Sequence, residues 1–156
     1  MADLKTPDRE LLEAWLKAIH VEHHLCPECD SLHITALQSL EGVVNSRLVL
    51  QPANLLFSTE LEIRPMAILA LAADLGRINM DYPNLKVFLD VVDDATPQLV
   101  VASNLLFGAG VTAPQFNEFI VNTLDGSRLL ADECLQLDYL FAEAARQGAG
   151  ASQALH

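Results

Sequence analysis

Apolar residues recur along this chain with two different spacings, and the switches between them mark its elements. Leu12, Trp15, Leu16 and Ile19 form one stripe, with Glu10, Glu13 and Lys17 elsewhere, the 3.6-residue period of an amphipathic helix. Pro7 suits a first helical position and Thr6 the N-cap before it, so a helix is expected from Pro7 to Ile19. Period-two alternation follows in Leu32, Ile34 and Ala36, in Val44, Ser46, Leu48 and Leu50, and in Leu55, Phe57, Thr59, Leu61 and Ile63. Turn-forming residues at Glu41-Gly42 and Pro52-Ala53-Asn54 separate these runs, which predicts an antiparallel meander.

Pro65 opens a second helix that ends near Ile78 or Asn79. Ile68, Leu71, Ala72, Leu75 and Ile78 make one face and Met66, Leu69, Ala70 and Ala73 the other, so burial on both sides is expected. Met66, Leu69, Ala70 and Ala73 are the candidate partner-binding residues, suited to close helix contact within the fold or across a dimer. The contact within the fold is preferred, because a long C-terminal helix needs a surface. Strands are expected at Leu85–Val92 and Gln98–Phe107. A helix then begins at the capping box Thr112/Gln115, with Phe116, Phe119, Ile120 and Leu124 facing inward. Gly126 is expected to break or kink it before a second helical piece, Arg128–Arg146. The order α-β-β-β-α-β-β-α-α predicts an α+β fold with an antiparallel sheet and helices packed on it. One domain spans 1–147, with a mobile tail at 148–156.

Charge narrows the function. Nine basic against 21 acidic residues give a formal net charge of −12, with no basic run. Phosphate backbones are bound by Lys and Arg displacing counterions, so neither nucleic acid nor an anionic membrane surface is an expected partner. Met1–Glu10 lacks the apolar core of a signal peptide, and three cysteines give no disulfide framework, so a reducing cytoplasm is the expected compartment.

Candidate chemistry is concentrated in His20, His23, His24, Cys26, Cys29 and His33. Two residues between Cys26 and Cys29 let both thiolates reach one tetrahedral zinc ion, and His33, or one of His23 and His24, could complete the site. No second Cys pair exists, and Cys134 is isolated. A redox pair would sit at a helix N-terminus after a strand, whereas this one precedes a strand. The alternative is a plain turn whose cysteines act as small hydrophobes. Gly108-Ala109-Gly110-Val111-Thr112-Ala113 matches a glycine-rich dinucleotide pattern, but only helix and tail follow it, without the second parallel strand that the fingerprint needs. Asp90, Asp93 and Asp94 lack the alternating ligands and central glycine of a calcium loop. No nucleophile elbow or phosphate loop is present, so no catalytic residue is assigned.

Over roughly Leu11 to Leu130 the chain resembles the YbjN family of bacterial proteins. The resemblance runs through Cys26-Pro27-Glu28-Cys29, Leu32-His33, Leu56-Phe57-Ser58, Arg64-Pro65 and Leu71-Ala72-Ala73-Asp74-Leu75. It continues in Lys86-Val87-Phe88-Leu89-Asp90, Pro97-Gln98-Leu99-Val100-Val101, and Gly110-Val111-Thr112 leading to Gln115-Phe116. It implies a fold similar to class I type III secretion chaperones, and a regulator of sensory transduction linked to exopolysaccharide, motility and stress, with no catalytic residue to transfer. The leading expectation is a non-enzymatic cytoplasmic protein-binding module, monomer or homodimer, without a cofactor. The alternative is a small metal-binding or redox-responsive sensor using Cys26 and Cys29, with zinc as its ion.

Overall fold

The computed structural model describes residues 3–93 and 95–141. Helix α1 (Arg9–Ala18) starts two residues later than the sequence suggests. Asp8, not Thr6, is the N-cap, its carboxylate accepting from the Leu11 N–H at 2.8 Å. A two-residue hairpin follows, β1 (His24–Leu25) and β2 (Leu32–His33), and then a single helical turn, α2 (Thr35–Gln38). The strand expected over Leu32–Ala36 therefore stops at His33. The Ile34 N–H donates to the Ser46 carbonyl, and the chain then turns so that Ile34 and Leu37 both enter the core.

The remaining elements are β3 (Val43–Leu50), β4 (Asn54–Glu62), a 3₁₀ turn (Pro65–Ala67), α3 (Ile68–Asp81), β5 (Lys86–Asp90), β6 (Gln98–Leu106) and α4 (Ala113–Gln136). All strands join one antiparallel sheet in the order β1-β2-β3-β4-β6-β5. The meander is β2-β3-β4. Beyond it, α3 carries the chain to the far edge and β6 returns to pair between β4 and β5.

Period two in β4 becomes a strict buried and half-buried alternation. Leu48, Leu55 and Phe57 pack with Leu12, Leu16, Leu37, Phe116 and Ile120. Leu61, Leu99, Val101 and Val87 pack with Leu71, Ile78, Leu130 and Cys134. Both clusters lie on one sheet face, and α4 spans them. The alternate positions, among them Val49, Leu56, Phe88, Val100 and Ala102, belong to neither cluster. Among the described residues, that second face has no helical layer.

Two expectations fail here for identifiable reasons. Gly126 does not break the helix, because α4 runs through it as one element. A Cβ there would meet Leu85 Cδ1 at 3.2 Å, so the glycine is a notch that lets Leu85 press on the helix. The part of the proposed second helical piece beyond Phe141 and the tail lie outside the described residues. Helix α3 is not buried on both sides. Its Leu71 and Ile78 are buried, whereas Met66 is 90% exposed, Leu69 84%, and Ala70 and Ala73 are exposed as well. Among the described residues the preferred contact within the fold does not form, because α4 lies on the sheet itself and not on the outer side of α3. The capping box at Thr112/Gln115 forms as expected, the Gln115 N–H donating to Thr112 Oγ1 at 3.2 Å.

Candidate functional site

The Cys26–Ser31 loop joins β1 to β2 and is closed by its own backbone. The Cys26 N–H donates to the Ser31 carbonyl and the Asp30 N–H to the Cys26 carbonyl. Asp30 takes a left-handed φ of 55°, which a short polar side chain tolerates, and its carboxylate pairs with Arg9 of α1 at 2.5 Å. Helix, loop and hairpin are thereby tied together.

This loop brings together the three residues singled out by spacing. One ligand atom each from Cys26, Cys29 and His33 lies within 4.8 Å of the other two. The Cys29 sulfur is 2.9 Å from Ser31 Oγ and 3.2 Å from His33 Nε2. Hydrogen bonds from Ser31 first, then from His33 and Cys26, lower the Cys29 thiol to about 6. On its other side the His33 ring accepts from the Gln38 amide at Nδ1, 2.8 Å, and the same amide donates to Asn45 Oδ1 at 3.1 Å. That pattern leaves the proton on Nε2, facing the sulfur. The other histidines stay apart. His23 Nδ1 donates to the Val21 carbonyl, and His24 lies beside His33, ring centroids 5.1 Å apart, with Nδ1 on Thr35. Cys134 is far from this loop in the core, where burial, with Glu133 and Asp74 nearby, pushes its thiol up to about 12.

The glycine-rich segment is a turn from β6 to α4, sealed by the backbone bridge between Lys5 and Val111. A Cβ on Gly110 (φ 89°) would lie 3.1 Å from Leu4 Cβ, so the glycine serves that close approach. No described strand follows α4, and the βαβ unit is missing. Asp90 ends β5 and Asp93 lies in the exposed turn after it, while Asp94 lies outside the described residues.

Beside the exposed face of α3 runs a shallow groove of about 460 Å³, with Ala70, Ala73, Leu137 and Tyr139 along it. Its polar wall is a cluster that the sequence reading missed. Arg77 pairs with Asp74 at 2.7 Å, with Asp81 at 2.9 Å and with Glu133 of α4 at 2.8 Å. Tyr139 donates to Asp74, and Tyr82 to Glu133. The bond from Arg77, joined by that from Tyr139, holds the Asp74 carboxyl below its ordinary value. Spacings of three and four residues around Arg77 were the available signal. Asp74, Arg77 and Glu133 line the groove, two carboxylates to one cation, so the wall is net negative.

An open-faced α+β domain with a thiol–imidazole loop and an acid-walled groove is the class that the geometry defines. The chain belongs to the YbjN family, whose profile, described as "Putative bacterial sensory transduction regulator", matches residues 8–136. It is 38% identical over 120 residues to YbjN of Escherichia coli strain K12, a match covering 77% of this chain and 76% of that protein, and equally similar to YbjN of Shigella flexneri. The crystal structure titled "YbjN, a putative transcription regulator from E. coli" superposes with a TM-score of 0.85 at 34% identity, covering 90% of this chain and 99% of that one. A Methanothermobacter thermautotrophicus protein shares the fold at a TM-score of 0.50 and 12% identity, covering 82% and 96%.

Proposed function

We propose that this YbjN-family chain is a non-enzymatic, cytoplasmic protein-binding module that acts in bacterial regulation by docking an apolar, net basic segment of a partner protein along α3. The observation that carries this reading is the exposure of Met66 (90%) and Leu69 (84%) beside Ala70 and Ala73. Each large apolar side chain loses roughly 1.5–3 kcal/mol of transfer free energy by staying in water, and a partner would recover it. The acid wall of Asp74 and Glu133 around one Arg77, with Asp81 behind it, selects a basic segment. The net charge of −12 opposes direct contact with DNA, so a role in transcription or sensing would run through another protein. The likeness to secretion chaperones implied by the family belongs to this proposal, as do the links to exopolysaccharide, motility and stress.

A photo-crosslinking residue in place of Leu69, introduced in living cells, tests it. A discrete adduct is expected that disappears with Met66→Asp and is absent when the probe replaces Lys86 on β5. Equal labelling from both positions would refute the reading. An adduct of twice the chain mass would reassign the face to self-association.

A further inference from the structure

We propose that Cys26, Cys29 and His33 bind one thiophilic divalent cation of the zinc class, with the fourth coordination position open to solvent. Three independent features of the hairpin carry this beyond the docking surface on α3.

The first is distance. Zn–S bonds of about 2.3 Å and Zn–N bonds of about 2.0–2.1 Å at tetrahedral angles put ligand atoms roughly 3.3–3.8 Å apart. Here the three atoms lie within 4.8 Å of one another, and Cys29 Sγ to His33 Nε2 is 3.2 Å. Closing on an ion requires ligand-atom shifts of about 1 Å.

The second is donor type. Two thiolates and an imidazole are soft to intermediate donors, which select zinc-like ions over magnesium or calcium. Asp30, in the same loop, is engaged by Arg9. His24 is turned onto Thr35, which leaves the fourth position to water.

The third is support behind the ligands. The loop is closed by the Cys26–Ser31 and Asp30–Cys26 backbone bonds and anchored to α1. A histidine bound through Nε2 must carry its proton on Nδ1 and give it to an acceptor. Gln38 stands at Nδ1 with Asn45 behind it, and half-rotation of both amides presents Gln38 Oε1 to that proton while keeping their mutual bond. Gln38 is therefore a positioning residue. Metal binding would move the His33 proton from Nε2 to Nδ1.

The test is titration of the reduced, metal-free full chain with cobalt(II), followed by displacement with zinc(II). One equivalent is expected to give thiolate-to-cobalt charge-transfer absorption with tetrahedral ligand-field bands, both removed by zinc. Cys26→Ser and Cys29→Ser each abolish the charge-transfer band seen at one equivalent. Gln38→Ala keeps the band but weakens affinity about 10–100-fold. Nitrogen NMR of His33 reports the tautomer exchange. Absence of charge-transfer absorption in the folded wild-type chain would overturn the proposal, as would a band that survives in the Cys26→Ser/Cys29→Ser double variant. Either failure leaves crosslinking at Leu69 unaffected, so the two readings are separable.

Discussion

Asn79 near the end of α3 clamps the free edge of the sheet, and removing it isolates one energetic term. Its amide donates to the Val87 carbonyl at 3.0 Å, and its Oδ1 accepts from the Val87 N–H at 3.0 Å. Val87 belongs to β5, which among the described residues pairs only with β6, so these backbone groups have no described strand to meet on the open side. The residue is half-buried, so water only partly replaces the lost partner. Each unsatisfied group costs about 1–3 kcal/mol, so Asn79→Ala is expected to cost about 2–4 kcal/mol in all. In a chain of this size that corresponds to a fall in Tm of about 5–15 °C. Urea unfolding checks it, with a lower midpoint at an unchanged m-value. Asn79→Asp keeps the acceptor, loses both donors and is expected to fall between. Met80→Ala, on the exposed neighbour, should stay within about 0.5 kcal/mol of the parent. If Asn79→Ala unfolds at the same midpoint as Met80→Ala, the clamp contributes nothing and the reasoning fails.

Gly42 has a φ of 85°, and a Cβ there would meet Leu140 Cδ1 at 2.8 Å. Gly42→Ala should therefore cost about 2 kcal/mol or more, part of it recovered in Gly42→Ala/Leu140→Ala, as a double-mutant melting cycle would show. In metal-free protein, Cys29 alkylation should rise through about pH 6 and level off by neutral pH, while Cys134, held protonated up to about 12, reacts only on unfolding. Mass spectrometry of timed quenches resolves the two sites. Because the folded value of Asp74 is lowered, its stabilisation is complete above its unfolded value of about 4 and disappears as pH falls through the folded one. Arg77→Gln should flatten that acid limb, measured as urea midpoint against pH.

The sequence made visible what depends on short-range spacing. Period-two runs located β3 and β4 to within a residue or two, and Thr112 with Gln115 marked the start of α4 because both capping partners lie within one turn. The Cys26, Cys29 and His33 cluster was readable for the same reason, since all three fall within eight residues. What escaped depends on distant partners. Leu32, Ile34 and Ala36 alternate as a strand would, but Ser46 captures the Ile34 N–H and the chain turns. Gly126 reads as a breaker until Leu85, brought up by β5, is seen filling the space its missing side chain leaves. The exposure of Met66 and Leu69 follows from the course of α4, which no local pattern encodes. The ion pair from Arg77 to Glu133 likewise spans two helices far apart in sequence.

The single-sided packing of the sheet has a consequence for how such a protein can change. Every helix draws on residues such as Leu55, Phe57, Leu61 and Val101, so the energy of folding is concentrated on one side of each strand. Positions one residue away, Leu56, Ser58, Val100 and Ala102, point to the side that neither cluster uses. A strand that packs on helices on one side and, among the described residues, on none on the other can vary its two surfaces with little coupling between them. Lineages sharing this scaffold are thus free to redraw an entire molecular surface, residue by alternate residue, while the interior that makes them fold stays the same.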